Sequence, residues 1–263
     1  MKHFHNSLAI LTVCACALAS CASPDASDTS SASSSSVSEA KTGVGSAAVE
    51  STSSQPPSSV PPSSATPPKS IPSSIPALDV PFTSQAPFAN WDDPYQEACE
   101  EAAMLMVIHY LNGTPLTPAI ADKEILDLVA WETDNGYPYD VTAAQMVEII
   151  EKKFGLNARV GTDVTIESIK EELAAGNPVV IPAAGRDLGN PYFSGEGPWY
   201  HALTIIGYES GWTGDTFIVN DPGTKRGQSY KYDANVLLNA IHDWTGVKED
   251  IRNGKKAMVI IER

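Results

Sequence analysis

An α+β domain is the fold class this sequence predicts, and three observations predict it. The first part of the chain is dominated by Ser, Pro, Ala and Thr and offers almost nothing to bury. Beyond about Ala77, apolar residues recur at helical spacing in several segments, most of them before Asn177. After that point β-branched and aromatic runs separated by Gly, Pro and Asn turns take over. Helices first and an antiparallel-looking set of strands second is an α+β order. No segment repeats internally.

The start, "MKHFHNSLAILTVCACALASC", has a basic residue at Lys2, then an apolar run of roughly a dozen residues and a small-residue end, the pattern of a secretory signal. The run is too short to span a membrane as a helix. Leu18-Ala19-Ser20-Cys21 resembles the lipobox of bacterial lipoproteins, which predicts cleavage after residue 20 and acylation of Cys21. Residues 21–77, with runs such as "SSQPPSSVPPSSATPPKSIPSSIP", read as a disordered, partly extended stalk. Residues 78–263 then form one folded domain, long enough for one well-buried core.

Within that domain "ALDVPFTSQ" alternates as an entering strand, with Val80 and Phe82 on one face. "EACEEAAMLMVIHYL" is a helix stopped by Asn112-Gly113, and Cys99 falls in its first turn. Helices follow at "PAIADKEILDLVAWE", at "TAAQMVEIIEKKFG" closed by Gly155, and at "TIESIKEELAAGN" closed by Gly176. "PVVIPAA" is a buried strand. After the loop "GRDLGNPYFSGEGPW" come strands at "YHALTIIGYE" and "DTFIVNDPG". "QSYKY", a helix at "ANVLLNAIHDW" and a strand at "KKAMVIIE" close the chain.

The formal net charge of −15 argues against nucleic acid, whose binding needs clustered cations, and against attraction to an anionic membrane surface. Of four cysteines, Cys14 and Cys16 lie in the predicted signal and Cys21 at the lipidation point. Cys99 is left with no internal disulfide partner in a compartment that oxidises thiols, which raises the prior for a catalytic thiol. The sequence contains neither a His-Glu-x-x-His motif nor a Cys-x-x-Cys pair, so no metal is expected.

Three histidines follow the stalk, at 109, 201 and 242. His109 lies on the Cys99 helix ten residues on, roughly 15 Å away, out of reach of the sulfur. His242 reads as a packed or solvated residue in the late helix. His201 opens a strand directly after a Gly-rich loop, where a side chain can project into a cleft. If the next strand pairs beside it, Asn220 or Asp221 can reach the far ring nitrogen and fix the tautomer. A thiol in the first turn of a helix, lowered by its N–H groups and an imidazolium, completes an acyl-transfer constellation. Glu100 and Glu101 work against a thiolate, and their carboxylates are expected to point away from the sulfur. The Cys99 N–H is one oxyanion donor, and Gln85 and Gln96 are both candidates for the second. The aromatics of "NPYFSGEGPWY" are expected to line the cleft.

Taken together, "VPFTSQAPF", "QEACEEAAMLM", "GNPYFSGEGPWYHALTIIGYE" and "FIVNDPGTKRG" resemble the peptidase C39-like family of papain-like cysteine peptidases. The resemblance spans nearly all of residues 78–263 and implies a papain-like fold, with the cysteine-bearing helix packed on an antiparallel sheet. It makes Cys99 the nucleophile, His201 the general base, Asp221 the orienting acid and Gln85 the oxyanion donor, with Gln96 as the alternative. It implies hydrolysis of peptide bonds without a cofactor, on a peptide or protein substrate. Family members that process bacteriocin leaders are fused to a transporter, and this sequence has no such segment, so the substrate does not carry over. The expectation is a monomeric, lipid-anchored peptidase facing outward, held at the cell membrane by its N-terminal lipid only. A cell-wall amidase or transpeptidase with the same triad, or a non-catalytic surface binding module, are the alternatives.

Overall fold

The computed structural model describes residues 71–262. The expected signal at 1–20, the lipidated Cys21 and nearly all of the 21–77 stalk lie outside the described residues. The predicted helices are present. α1 (Cys99–Asn112) is buried on nearly every side through its first three turns and ends at Gly113, whose φ of 63° suits a residue without a Cβ. α2 (Pro118–Asp134) starts with Pro118 after the N-cap Thr117. α3 (Ala143–Ile149) opens on a capping box between Thr142 and Gln145, and α4 (Ile166–Ala175) on one between Thr165 and Ser168.

Six strands form one antiparallel sheet in the order β1-β6-β2-β3-β4-β5. They are β1 (Asn157–Gly161), β2 (Val179–Ala184), β3 (Tyr200–Gly211), β4 (Gly214–Asn220), β5 (Tyr230–Asp233) and β6 (Met258–Glu262). Helices cover both faces. Val180, Ala202, Val259 and Ile261 pack with α1, α2 and α3, whereas their neighbours Val179, Ile181, Leu203 and Ile260 pack with α4 and with α5 (Ala234–Ala240). Alternation along each strand therefore feeds two cores, which is why "PVVIPAA" is apolar at every position. Each fully buried Ile or Leu in these layers contributes about 1.5–3 kcal/mol.

Three elements differ from the sequence reading. "ALDVPFTSQ" forms no strand. Pairing of β2 with β3 ends at Ile205, which leaves the outer end of β3 with a free edge. The incoming chain uses it sparingly: Ile75 and Tyr208 exchange backbone hydrogen bonds of 2.7 and 2.9 Å, and Leu78 N–H donates to Ile206 O at 2.8 Å. Pro76 and Pro81 have no N–H to continue the ladder. Ile75 is buried, so the folded unit takes in residues upstream of the 78 boundary. β1 carries too little signal to be read from its residues: "NARVG" is five residues at the sheet edge with Ala158 and Val160 as its apolar side chains, both half-buried. α5 stops at Ala240, since Ile241 bridges to Ala183 and His242 N–H donates to Pro182 O at 3.2 Å. His242 consequently sits outside the helix predicted to carry it. Among the described residues no helix is long and apolar enough to cross a membrane.

Candidate active site

β3 and β4 pair with Thr204 opposite Asn220, and this register carries the histidine side of the site. His201 is the second residue of β3, opposite Ala183 of β2. Its Nε2 lies 2.7 Å from Asp221 Oδ1, one residue past the end of β4. Of the two residues left open by the sequence, Asp221 reaches the imidazole. Asn220 instead donates to Val80 O at 3.1 Å and accepts from Ser229 N–H at 3.1 Å, tying two loops to the sheet end.

Asp221 is fully buried and every lone-pair direction is used. Oδ1 also accepts from Gly223 N–H at 2.9 Å, and Oδ2 accepts from Tyr232 OH at 2.5 Å and Asn190 Nδ2 at 3.0 Å. Burial opposes its ionisation, but the His201 charge and these hydrogen bonds outweigh it and hold the carboxyl below its ordinary value. Tyr232 and Asn190 were missed in the sequence, where a Tyr in a short strand and an Asn in a Gly/Pro loop carry no signal of their partner. Phe193 presses edge-on to the imidazole, with ring centroids 5.4 Å apart. Gly223 lies so close that an added Cβ would come 2.8 Å from His201 Cε1.

Cys99 is the first residue of α1, after an Ala98 that has no side chain to cap the helix. Its sulfur accepts from the backbone N–H of Ala202, next to His201, at 3.3 Å. One sequence expectation is overturned here: the Glu100 carboxylate does not point away. Sγ donates to Glu100 Oε2 at 2.9 Å, while Glu100 Oε1 accepts from Val141 N–H at 3.0 Å. The space around α1 accounts for this: both acids are buried in the helical core, and Glu100 finds no donors other than Cys99 and Val141 among the described residues. Burial first, then the Glu100 charge and hydrogen bond, push the Cys99 thiol well up, against the lowering by Ala202 N–H. Glu101 meets Glu132 of α2, and burial raises both carboxyls, Glu101 to about 7 and Glu132 higher. Glu101 Oε2 and Glu132 Oε1 have no hydrogen-bond partner among the described residues.

Cys99 and His201 open onto one cleft of about 570 Å³. Tyr192, Phe193, Trp199 and Tyr200 line it, as expected of that loop, and Trp91 adds a fifth aromatic. Gln85 and Gln96 line it too. Gln85 donates both amide hydrogens to backbone, to Tyr95 O at 2.9 Å and Gln96 O at 3.0 Å, so it must release one to serve an oxyanion. Gln96 is exposed and donates to Asp93 Oδ1 at 2.6 Å. His109 bonds Glu124 and Thr114, each at 2.8 Å, and stays away from the sulfur.

The Peptidase_C39 like family model matches residues 77–249. The chain belongs to this family. Solved structures similar to it include two. One is a C39-like protein from Bacillus anthracis, at 16% identity and a TM-score of 0.46, covering 72% of this chain and 98% of that one. The other is digestive procathepsin L 3 of the Tenebrio molitor larval midgut, at 11% identity and a TM-score of 0.38, covering 76% and 72%. No curated protein sequence matches the chain.

Proposed function

We propose that this C39-like domain is a cysteine peptidase, with Cys99 as nucleophile, His201 as general base and Asp221 as its orienting acid. The observation that carries the reading is the convergence on one cleft: Sγ lies 3.3 Å from the N–H that follows His201, and His201 Nε2 lies 2.7 Å from Asp221. With Nε2 committed to Asp221, Nδ1 is the nitrogen left to take the thiol proton. The thiolate attacks the amide carbonyl, the N–H of Cys99 receives the oxyanion, and the imidazolium protonates the leaving amine. Water then hydrolyses the thioester. Gln85 is the second oxyanion donor once one of its amide hydrogens turns to the substrate, and Gln96 is the alternative.

The substrate is a peptide or protein segment held against the aromatic walls of the cleft. The domain acts as a monomer outside the cytoplasm, joined to the cell membrane through a lipid on Cys21 and a Ser/Pro-rich linker; the N-terminal sequence supports this placement. Cleavage of a peptide library by the wild-type chain and its loss in Cys99→Ala test the reading. Cleavage that persists in Cys99→Ala sinks it. Incubation with peptidoglycan separates a peptidase from a cell-wall amidase or transpeptidase. A second reading, a binding module without turnover, is favoured by the thiol's burial and its contact with Glu100. Binding of library peptides with no cleavage by the wild-type chain would favour it.

A further inference from the structure

The family relationship and the triad leave one contact without a role: the hydrogen bond between the nucleophile and the residue that follows it. Glu100 is 0% exposed, and its two oxygens have one partner each, Sγ and Val141 N–H. Val141 is itself held in place, because its carbonyl accepts from Tyr200 OH at 2.7 Å. Glu100 therefore stays at the sulfur by construction, clamped between α1, the Val141 backbone and β3.

Only one hydrogen fits between Sγ and Oε2. Oε1 is occupied by Val141 N–H, so a proton gained by Glu100 sits on Oε2 and displaces the thiol as donor. We propose that Glu100 is a proton lock on the nucleophile: its carboxylate accepts the Sγ–H bond and keeps the proton on sulfur until that bond is exchanged for one to His201. In the release step the S–H bond breaks, the proton passes to His201 Nδ1, and a thiolate and an imidazolium form while Glu100 keeps its own protonation state. Glu100 acts through Cys99 and is a positioning residue.

The groups facing Glu100 set when the lock is closed: burial first and then the Glu101 charge raise the Glu100 carboxyl well above its ordinary value, against the lowering by Cys99 and the Val141 N–H, so the lock holds once Glu100 is ionised. Glu101 on the same helix, Glu132 of α2 and Asp140 ahead of α3 are acids, and Tyr200 of β3 is a phenol. The nearby cation Lys248 turns to Glu97 and Asp140, at 3.4 and 3.9 Å. No cation at Glu100 competes with the thiol for its carboxylate among the described residues.

The inference rests on Cys99 being the nucleophile, and its test needs no substrate. The rate of Cys99 alkylation in the full chain is followed against pH in the wild type, Glu100→Gln and Glu101→Gln. Glu100→Gln, which cannot hold the proton and can donate to a thiolate, is expected to lower the thiol midpoint by about one unit or more, a roughly tenfold faster alkylation below the wild-type midpoint. Glu101→Gln, which removes a buried acid without touching sulfur, is expected to shift it less. A Glu100→Gln midpoint that is unchanged, higher or equal to that of Glu101→Gln overturns the lock.

If Glu100→Gln does not fold, the wild-type chain carries the test through the ¹³C resonances of Cys99 Cβ and Glu100 Cδ. Each is expected to move in steps with the other, and a Glu100 resonance blind to the thiol midpoint overturns the proposal. A wild-type chain that cleaves no amide substrate removes the peptidase reading while leaving this result standing.

Discussion

The two sides of the cleft solve opposite electrostatic problems. On the histidine side a buried carboxylate, Asp221, is met by the imidazole, a phenol, an amide and a backbone N–H. On the cysteine side buried carboxyls, Glu100, Glu101 and Glu132, lie together, and among the described residues no cation is hydrogen-bonded to Glu100 and one oxygen each of Glu101 and Glu132 has no partner. Low dielectric strengthens a satisfied network and penalises an incomplete one. The first arrangement fixes a charge at Asp221, and the second raises its carboxyls above their ordinary value, chiefly by burial.

Breaking either side tests the contrast, and the largest effect is expected at the sulfur. Cys99→Ala removes the covalent route and should lower kcat about 10⁴-fold or more in a peptide-cleavage assay. Asp221→Asn keeps the shape but takes away the charge that fixes the imidazole tautomer, and kcat should fall on the order of 10²–10⁴-fold with the fold intact by circular dichroism. Gly223→Ala drives a methyl toward the imidazole, 2.8 Å from Cε1. It should cost about 1–3 kcal/mol in urea unfolding and lower kcat as well.

The smallest effect sharpens the cysteine side. Glu101 and Glu132 are raised in the folded chain, chiefly by burial, so the folded state holds protons that the unfolded chain releases near the usual glutamate value of 4.5. Their stabilisation is complete below that value and is lost as pH rises, through about 7 for Glu101 and higher for Glu132. Urea midpoints of the wild type should therefore fall between about pH 5 and about pH 8, and Glu132→Gln should remove much of the fall, about 1–2 kcal/mol at the upper end. A flat profile in both proteins would contradict the buried-acid account.

Legibility followed the range of the interactions. Thr142, Thr165, Gly113 and Gly176 mark helix ends through bonds within one turn, so α1, α3 and α4 could be read from their own residues. The Pro-Gly turn marks Asn220 and Asp221 together at the strand end, and only the family resemblance chooses Asp221. Tyr232 and Asn190 were not legible, since each meets Asp221 across separate loops with no local constraint on the pairing. The Glu100 contact was misjudged because a charge one residue along a helix ordinarily seeks water, whereas this helix is enclosed at its first turn. The entering strand failed for a third reason: alternation was present, but the prolines withheld the donors a ladder needs.

The two bonds between Ile75 and Tyr208 have a mechanical consequence. Tension on the chain upstream of residue 75 is delivered to the outer end of β3, the strand whose other end carries His201 roughly 24 Å away at 3.4 Å per residue. Ile71 packed on the core and Ser74 Oγ, which accepts from Ser210 N–H at 3.0 Å, stand ahead of the two Ile75 bonds and the Leu78 contact, so a pull applied at the N-terminal side would undo these in turn before it strained the register that sets the histidine.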